Sequence, residues 1–131
     1  MLKLLLLISL TLAKVMILEP RSLTDSIGEN GTIDYVVSTF GELLYSEHVI
    51  VQLATPPASN EYGCNPLTTP KEFINKRFAW VLKRGICTYS KKAFEAQKTG
   101  AYTIFVYHND PSVAIRNLIP ISDSVCRLTR Q

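Results

Sequence analysis

The chain has little of what most activities require. Only two histidines occur in 131 residues, and there is no H-E-x-x-H, G-x-S-x-G or glycine-rich phosphate loop. His48 opens one apolar run and His108 follows another, positions where turn or surface roles are usual. Charge is also scarce, at 19% of residues, and the net value is only +3, too small to argue for nucleic-acid binding. No clean apolar run reaches the roughly 20 residues of a membrane-spanning helix. There is no internal repeat and no low-complexity tract. What is present is apolar residue, 47% of the chain, which excludes disorder and suits one domain with a real core.

Two features are uneven along the chain. The first is the N-terminus, where Lys3 precedes an apolar run from Leu4 to Leu12 and Ala13 closes it. A positive start, a short apolar stretch and a small residue at the cut are the order of a secretory signal, expected over residues 1–13. An uncleaved anchor running on through Leu18, or a buried first strand, are the competing readings of the same residues. The second is charge. From Lys14 to Pro70 there are seven acids against Lys14 and Arg21, whereas Lys71 to Lys98 holds eight basic residues against Glu72 and Glu95. The acidic half and the basic middle either attract each other within one fold or leave a basic surface for an acidic partner.

Three cysteines, Cys64, Cys87 and Cys126, leave one thiol over if a pair bridges in an oxidising compartment. No C-x-x-C or H-x-x-x-H spacing supports zinc, and no cofactor or metal site is expected. Asn30-Gly31-Thr32 is an N-glycosylation sequon within a polar, turn-like stretch, so Asn30 is a candidate modification site.

Apolar patterning predicts strands over Val15–Leu18, Ile33–Val37, His48–Ala54 and Phe78–Leu82, the last buried on both faces. The period then changes. Tyr89, Ala93 and Ala96 fall on one helical face, predicting a helix over Tyr89–Thr99 that turns those residues to the sheet. Thr88 or Ser90 can cap its start, and Gly100 stands where a terminating glycine belongs. A strand over Tyr102–Tyr107 follows, then a turn at His108–Pro111 and a weak strand at Asn117–Ile121. Strand, helix and strand in this order predict two parallel neighbours.

Arg84, Gly85, Cys87, Tyr89, Lys92, Ala96, Gly100 and Ala101 follow the pattern R-G-x-C-x-[FY]-x-x-K-x-x-x-A-x-x-x-G-A. This stretch, after the apolar Phe78–Leu82 and before Asn109-Asp110, resembles the protease-associated (PA) domain. It is most similar to the lumenal PA domains of vacuolar sorting receptors and of Goliath-type transmembrane ubiquitin ligases, the latter around Cys64-Asn65-Pro66. The resemblance implies an α+β domain over 14–131 with its motif core at 78–110. The implied architecture is an open β-barrel or sandwich with one main helix packed on the sheet and truncated closing strands.

It implies a Cys64–Cys87 disulfide that staples the long polar loop to the core. It implies a non-catalytic module that binds a polypeptide ligand or partner protein in the secretory or endomembrane system. The alternatives are the lumenal part of a membrane ubiquitin ligase or sorting receptor, and an accessory domain of a secreted protease. No nucleic acid is implied, and no membrane span apart from the signal segment. The ligand face it implies is the turn Arg84, Gly85, Ile86 and Cys87, with backbone N–H groups as donors and Arg84 for a carboxylate. Ile86 departs from the sorting receptors, which carry an acidic residue there. For Lys92 the expectation is a stem packed along the sheet with its charge in solvent.

Overall fold

A computed structural model describes residues 14–28, 30–38 and 48–113. The predicted signal over 1–13, the weak strand at Asn117–Ile121 and Cys126 lie outside the described residues. The protein is a mixed α and β chain with two sheets, divided between two compact units, Met1–Tyr35 and Val36–Gln131.

In the first unit, β1 (Val15–Met16) pairs antiparallel with β2 (Thr32–Ile33), placing Val15 opposite Ile33 and Met16 opposite Thr32. A single helical turn, α1 (Arg21–Thr24), follows Pro20, which precedes it in extended conformation and whose carbonyl accepts from Leu23 N at 2.9 Å. Thr24 Oγ1 donates to Ile17 O at 3.1 Å, and Ile17 N donates to Gly31 O at 3.0 Å. These bonds draw the chain tightly around Gly31. A Cβ there would meet Ile17 O at 2.8 Å, and φ is +75°, so glycine is required on both counts. The second strand is shorter than the predicted Ile33–Val37. Only Thr32 and Ile33 find ladder partners among the described residues, for in this antiparallel register a longer β2 would run past Val15 towards Lys14 and the residues before it.

The second unit is a three-stranded sheet in the order β3-β4-β5, all parallel. Its strands are β3 (Gln52–Ala54), β4 (Phe78–Lys83) and β5 (Thr103–Tyr107). The central strand is buried at Phe78, Ala79, Trp80 and Leu82, as its unbroken apolar run predicts. The edge strand β3 starts four residues later than expected. β4 begins opposite Gln52, so His48–Val51 have no ladder partner among the described residues, and Ile50 stays exposed.

Helix α2 (Tyr89–Lys98) crosses from β4 to β5 as predicted. Thr88 caps it, its hydroxyl accepting from Lys91 N at 3.2 Å, and Gly100 ends it at φ +76°. The buried face differs from the predicted one. Ala96 is buried as expected, but Tyr89 and Ala93 are only half-buried, whereas Lys92 and Glu95 are fully enclosed. Lys92 finds carbonyl partners in the loops beneath the helix, whereas Glu95 is covered by Lys91 and Lys98 of the helix itself, and the periodicity of apolar residues reports neither.

The core of this unit consists of Ala54, Phe78, Trp80, Leu82 and Ala96, with Leu67, Phe73, Ile104 and Val106 packed against it. Phe78 stacks on Phe73 and meets Trp80 edge-on at a centroid distance of 5.7 Å. The long polar connection between β3 and β4 is ordered by its own side chains. Asn60 Nδ2 donates to Asn65 O at 3.0 Å while Asn65 N donates back to Asn60 Oδ1 at 3.1 Å, closing a small loop that contains Cys64.

Candidate functional site

β4 ends at Lys83, and the chain must turn into α2 within five residues. Gly85, at φ +116°, begins the turn, and a Cβ there would touch the Tyr62 ring at 3.4 Å. Cys87 N donates to Gly85 O at 2.8 Å with Ile86 between them at φ +67°. That closes a three-residue γ-turn of the rarer, positive-φ kind. A β-branched residue in this region is a true outlier, costing on the order of 1–3 kcal/mol. Ile86 is also 81% exposed, so no packing of its own side chain rewards the conformation.

The turn is tied down on both sides. Cys87 is bonded to Cys64 with the Cα atoms 5.8 Å apart, the pairing implied by the family resemblance. On the other side Arg84 N donates to Tyr107 O at 3.0 Å, joining the turn to the end of β5. The Arg84 side chain is splayed over the entrance to α2. Its Nε donates to Tyr89 Oη at 3.1 Å, and Nη1 lies 3.1 Å from His108 Nδ1. These contacts orient the guanidinium and leave Nη2 without a partner among the described residues. Close by, Asp110 is held below the usual carboxylate range, first by the Ser112 hydroxyl and backbone N–H and further by His108 and Arg84.

Together these residues border an open cleft of about 450 Å³, with the Arg84–Cys87 turn on one rim and His108 and Asn109 on the other. All four candidate ligand residues therefore line one cavity. Their donors are not equivalent. Gly85 N–H and Ile86 N–H make no hydrogen bond to other described residues, whereas Cys87 N–H is taken up inside the turn.

Lys92 forms the floor and overturns its sequence expectation. Its charge does not reach solvent, for the residue is 1% exposed. Nζ donates to Gly85 O at 2.9 Å and to Tyr62 O, and sits 3.8 Å from Cys64 Sγ. Burial pushes its pKa below the ordinary lysine value. Three acceptors for three donors explain how the amine is accommodated, and all three belong to the two loop ends that the disulfide joins. Tyr62 is a site residue that sequence reading missed. Its ring lies 5.6 Å from Lys92 Nζ and 5.2 Å from Lys83 Nζ. Only its place two residues before Cys64 signalled it.

The other half-hidden ions are structural. Glu95, fully buried, accepts from Lys91 Nζ at 2.6 Å and pairs with Lys98, which together hold its carboxyl below the usual range. Lys83 pairs with Glu61 at 3.0 Å, raising the lysine pKa, and its backbone N–H also bonds Glu61 O. Three cations of the basic middle thus find carboxylates close at hand.

Asn30 is exposed at φ +56° in the first unit, with its side chain available at a turn. His48 is exposed in the other unit. Neither belongs to the cleft as lined by the described residues. Among the described residues no group of three or more His, Cys, Asp or Glu side chains is arranged to hold a metal, and no helix is long and apolar enough to cross a membrane. Comparison with known proteins returns no matching family profile and no matching curated protein.

Proposed function

We propose that this chain is a non-catalytic PA-like module that binds a peptide or protein ligand through the Arg84–Cys87 turn. The observation that carries this reading is Ile86, an exposed isoleucine kept at positive φ on the rim of a cleft. Strain of this kind is retained where a side chain must be presented, and ligand clamps are a common place for it. The turn offers three things to an extended peptide. Gly85 and Ile86 N–H groups are donors for a backbone carbonyl, Arg84 Nη2 suits a carboxylate, and the Ile86 side chain meets an apolar residue. An isoleucine where sorting receptors carry an acid implies a ligand with an apolar residue at that contact.

The motif spacing around this turn supports a PA-like barrel or sandwich as the complete domain. The Cys64–Cys87 bridge supports an extracellular or lumenal setting, where disulfides persist. The proposed chain has no catalytic role, cofactor or nucleic-acid partner. Asn30 is its proposed glycosylation site.

A displayed random-peptide library selected against the disulfide-intact protein tests this. Enriched peptides are expected to lose roughly tenfold or more in affinity for Arg84→Glu, the scale of one charge-assisted hydrogen bond. They are expected to bind Gly85→Val as poorly, because valine cannot adopt φ +116° without strain. Equal binding to all three proteins would remove the turn as the site, and a library that yields no enriched peptide would remove the peptide-binding reading itself.

A further inference from the structure

A γ-turn with isoleucine at its centre does not hold itself. The single Cys87 N–H to Gly85 O bond closes it, and the exposed Ile86 side chain adds no packing. Something beneath must over-determine the conformation. The disulfide fixes Cys87 and Arg84 N–H is bonded to Tyr107 O, but within the turn only the Cys87 N–H holds the Gly85 carbonyl. Lys92 supplies the missing restraint. Its amine bonds Gly85 O from the protein side at 2.9 Å, so this one carbonyl is held by both Cys87 N–H and Lys92 Nζ. The same amine takes Tyr62 O and approaches Cys64 Sγ, on the other strand of the bridged loop pair. A lysine used only for packing extends its amine to water. This one is enclosed, with no carboxylate bonded to it among the described residues.

We propose that Lys92 is the positioning residue of the Arg84–Cys87 turn: by holding Gly85 O and Tyr62 O from beneath, its buried amine keeps Ile86 in the left-handed conformation at the cleft rim. Lys92 touches no ligand. It acts through the carbonyl of Gly85, and the shape of the ligand face depends on it. The inference goes beyond peptide binding, because it concerns the unliganded turn and is read without any ligand.

The test is a double-mutant cycle of thermal melts on four disulfide-intact full-length chains: the natural sequence, Ile86→Gly, Lys92→Met and the double variant. Glycine relieves the strain at position 86, so Ile86→Gly is expected to raise Tm by about 4 °C in the natural background. In the Lys92→Met background the turn has already relaxed, and the same substitution is expected to give no gain. Residues coupled through one conformation depart from additivity, whereas a lysine that merely stabilises the fold leaves the gain unchanged. Equal gains in both backgrounds, or no gain in either, would overturn the proposal. If Lys92→Met does not fold, NMR of the natural chain labelled with 15N-lysine decides. One amine signal protected from exchange, absent from the Lys92→Arg spectrum or from the assigned exposed lysines, supports the role. An amine at Lys92 that exchanges as fast as those of Lys71 and Lys76 overturns it.

Discussion

At its C-terminal end, α2 meets the core through Ala96 and through Thr99, whose hydroxyl accepts from Trp80 Nε1 at 2.9 Å and donates to Ala96 O at 2.6 Å. Thr69 Oγ1 donates to Thr99 O at 2.9 Å, so the last turn is closed by short, well-formed bonds around a buried indole. Gly100 supplies the positive φ that ends the helix, and nothing crowds it. At its N-terminal end the same helix begins beside a γ-turn with isoleucine at positive φ, an enclosed lysine and a disulfide. One end uses residue types suited to their conformations. The other uses residues opposed to theirs and restrains them by force of cross-links. The contrast separates the part of this unit whose residue types suit their conformations from the part whose conformation is imposed by its surroundings.

Substitutions at Trp80 and at Ile86 therefore carry opposite signs, while removal of the cross-link that restrains the turn costs stability as loss of the core does. Trp80→Ala has the largest expected effect. It empties the centre of the core and leaves Thr99 without its indole partner, a loss of about 3–5 kcal/mol in a denaturant melt. A drop under about 1 kcal/mol would mean that the C-terminal end is not the anchor of the unit. Paired replacement of Cys64 and Cys87 by serine comes next. The bridge closes a loop with a sequence separation of 23, and its removal is expected to cost about 3 kcal/mol, read as a lower Tm that reductant reproduces in the natural chain. The smallest effect is the reversed one. Ile86→Gly at the N-terminal end is expected to stabilise by about 1 kcal/mol, because relief of strain exceeds the added freedom of the unfolded chain. If it destabilises, the two ends do not differ as described.

The sequence made the C-terminal end legible and most of the N-terminal end not. The apolar run from Phe78, Ala96 and Gly100 carry local signals of burial or termination, Thr88 alone marks the helix start by capping, and the β4–α2–β5 unit follows from them. The edge strand β3 was legible in kind but not in length, since its extent depends on where β4 begins 26 residues later. Lys92 was visible as a motif position, yet its burial depends on the carbonyl of Tyr62, 30 residues away, and no periodicity encodes that. The conformation of Ile86 runs against its own residue type, so a propensity argument points the wrong way there. Gly85 alone hinted that the backbone needed unusual freedom.

The enclosed indole also gives the protein an internal gauge. Trp80 is the sole tryptophan of the chain, 1% exposed and hydrogen-bonded to the final turn of α2. Its emission reports on one place without any label. Loss of the core wets the ring and shifts the light to the red. An event confined to the γ-turn, at the far end of the helix, leaves the colour unchanged. A ligand that quenched or shifted this signal would therefore be acting on the core as well as on the turn.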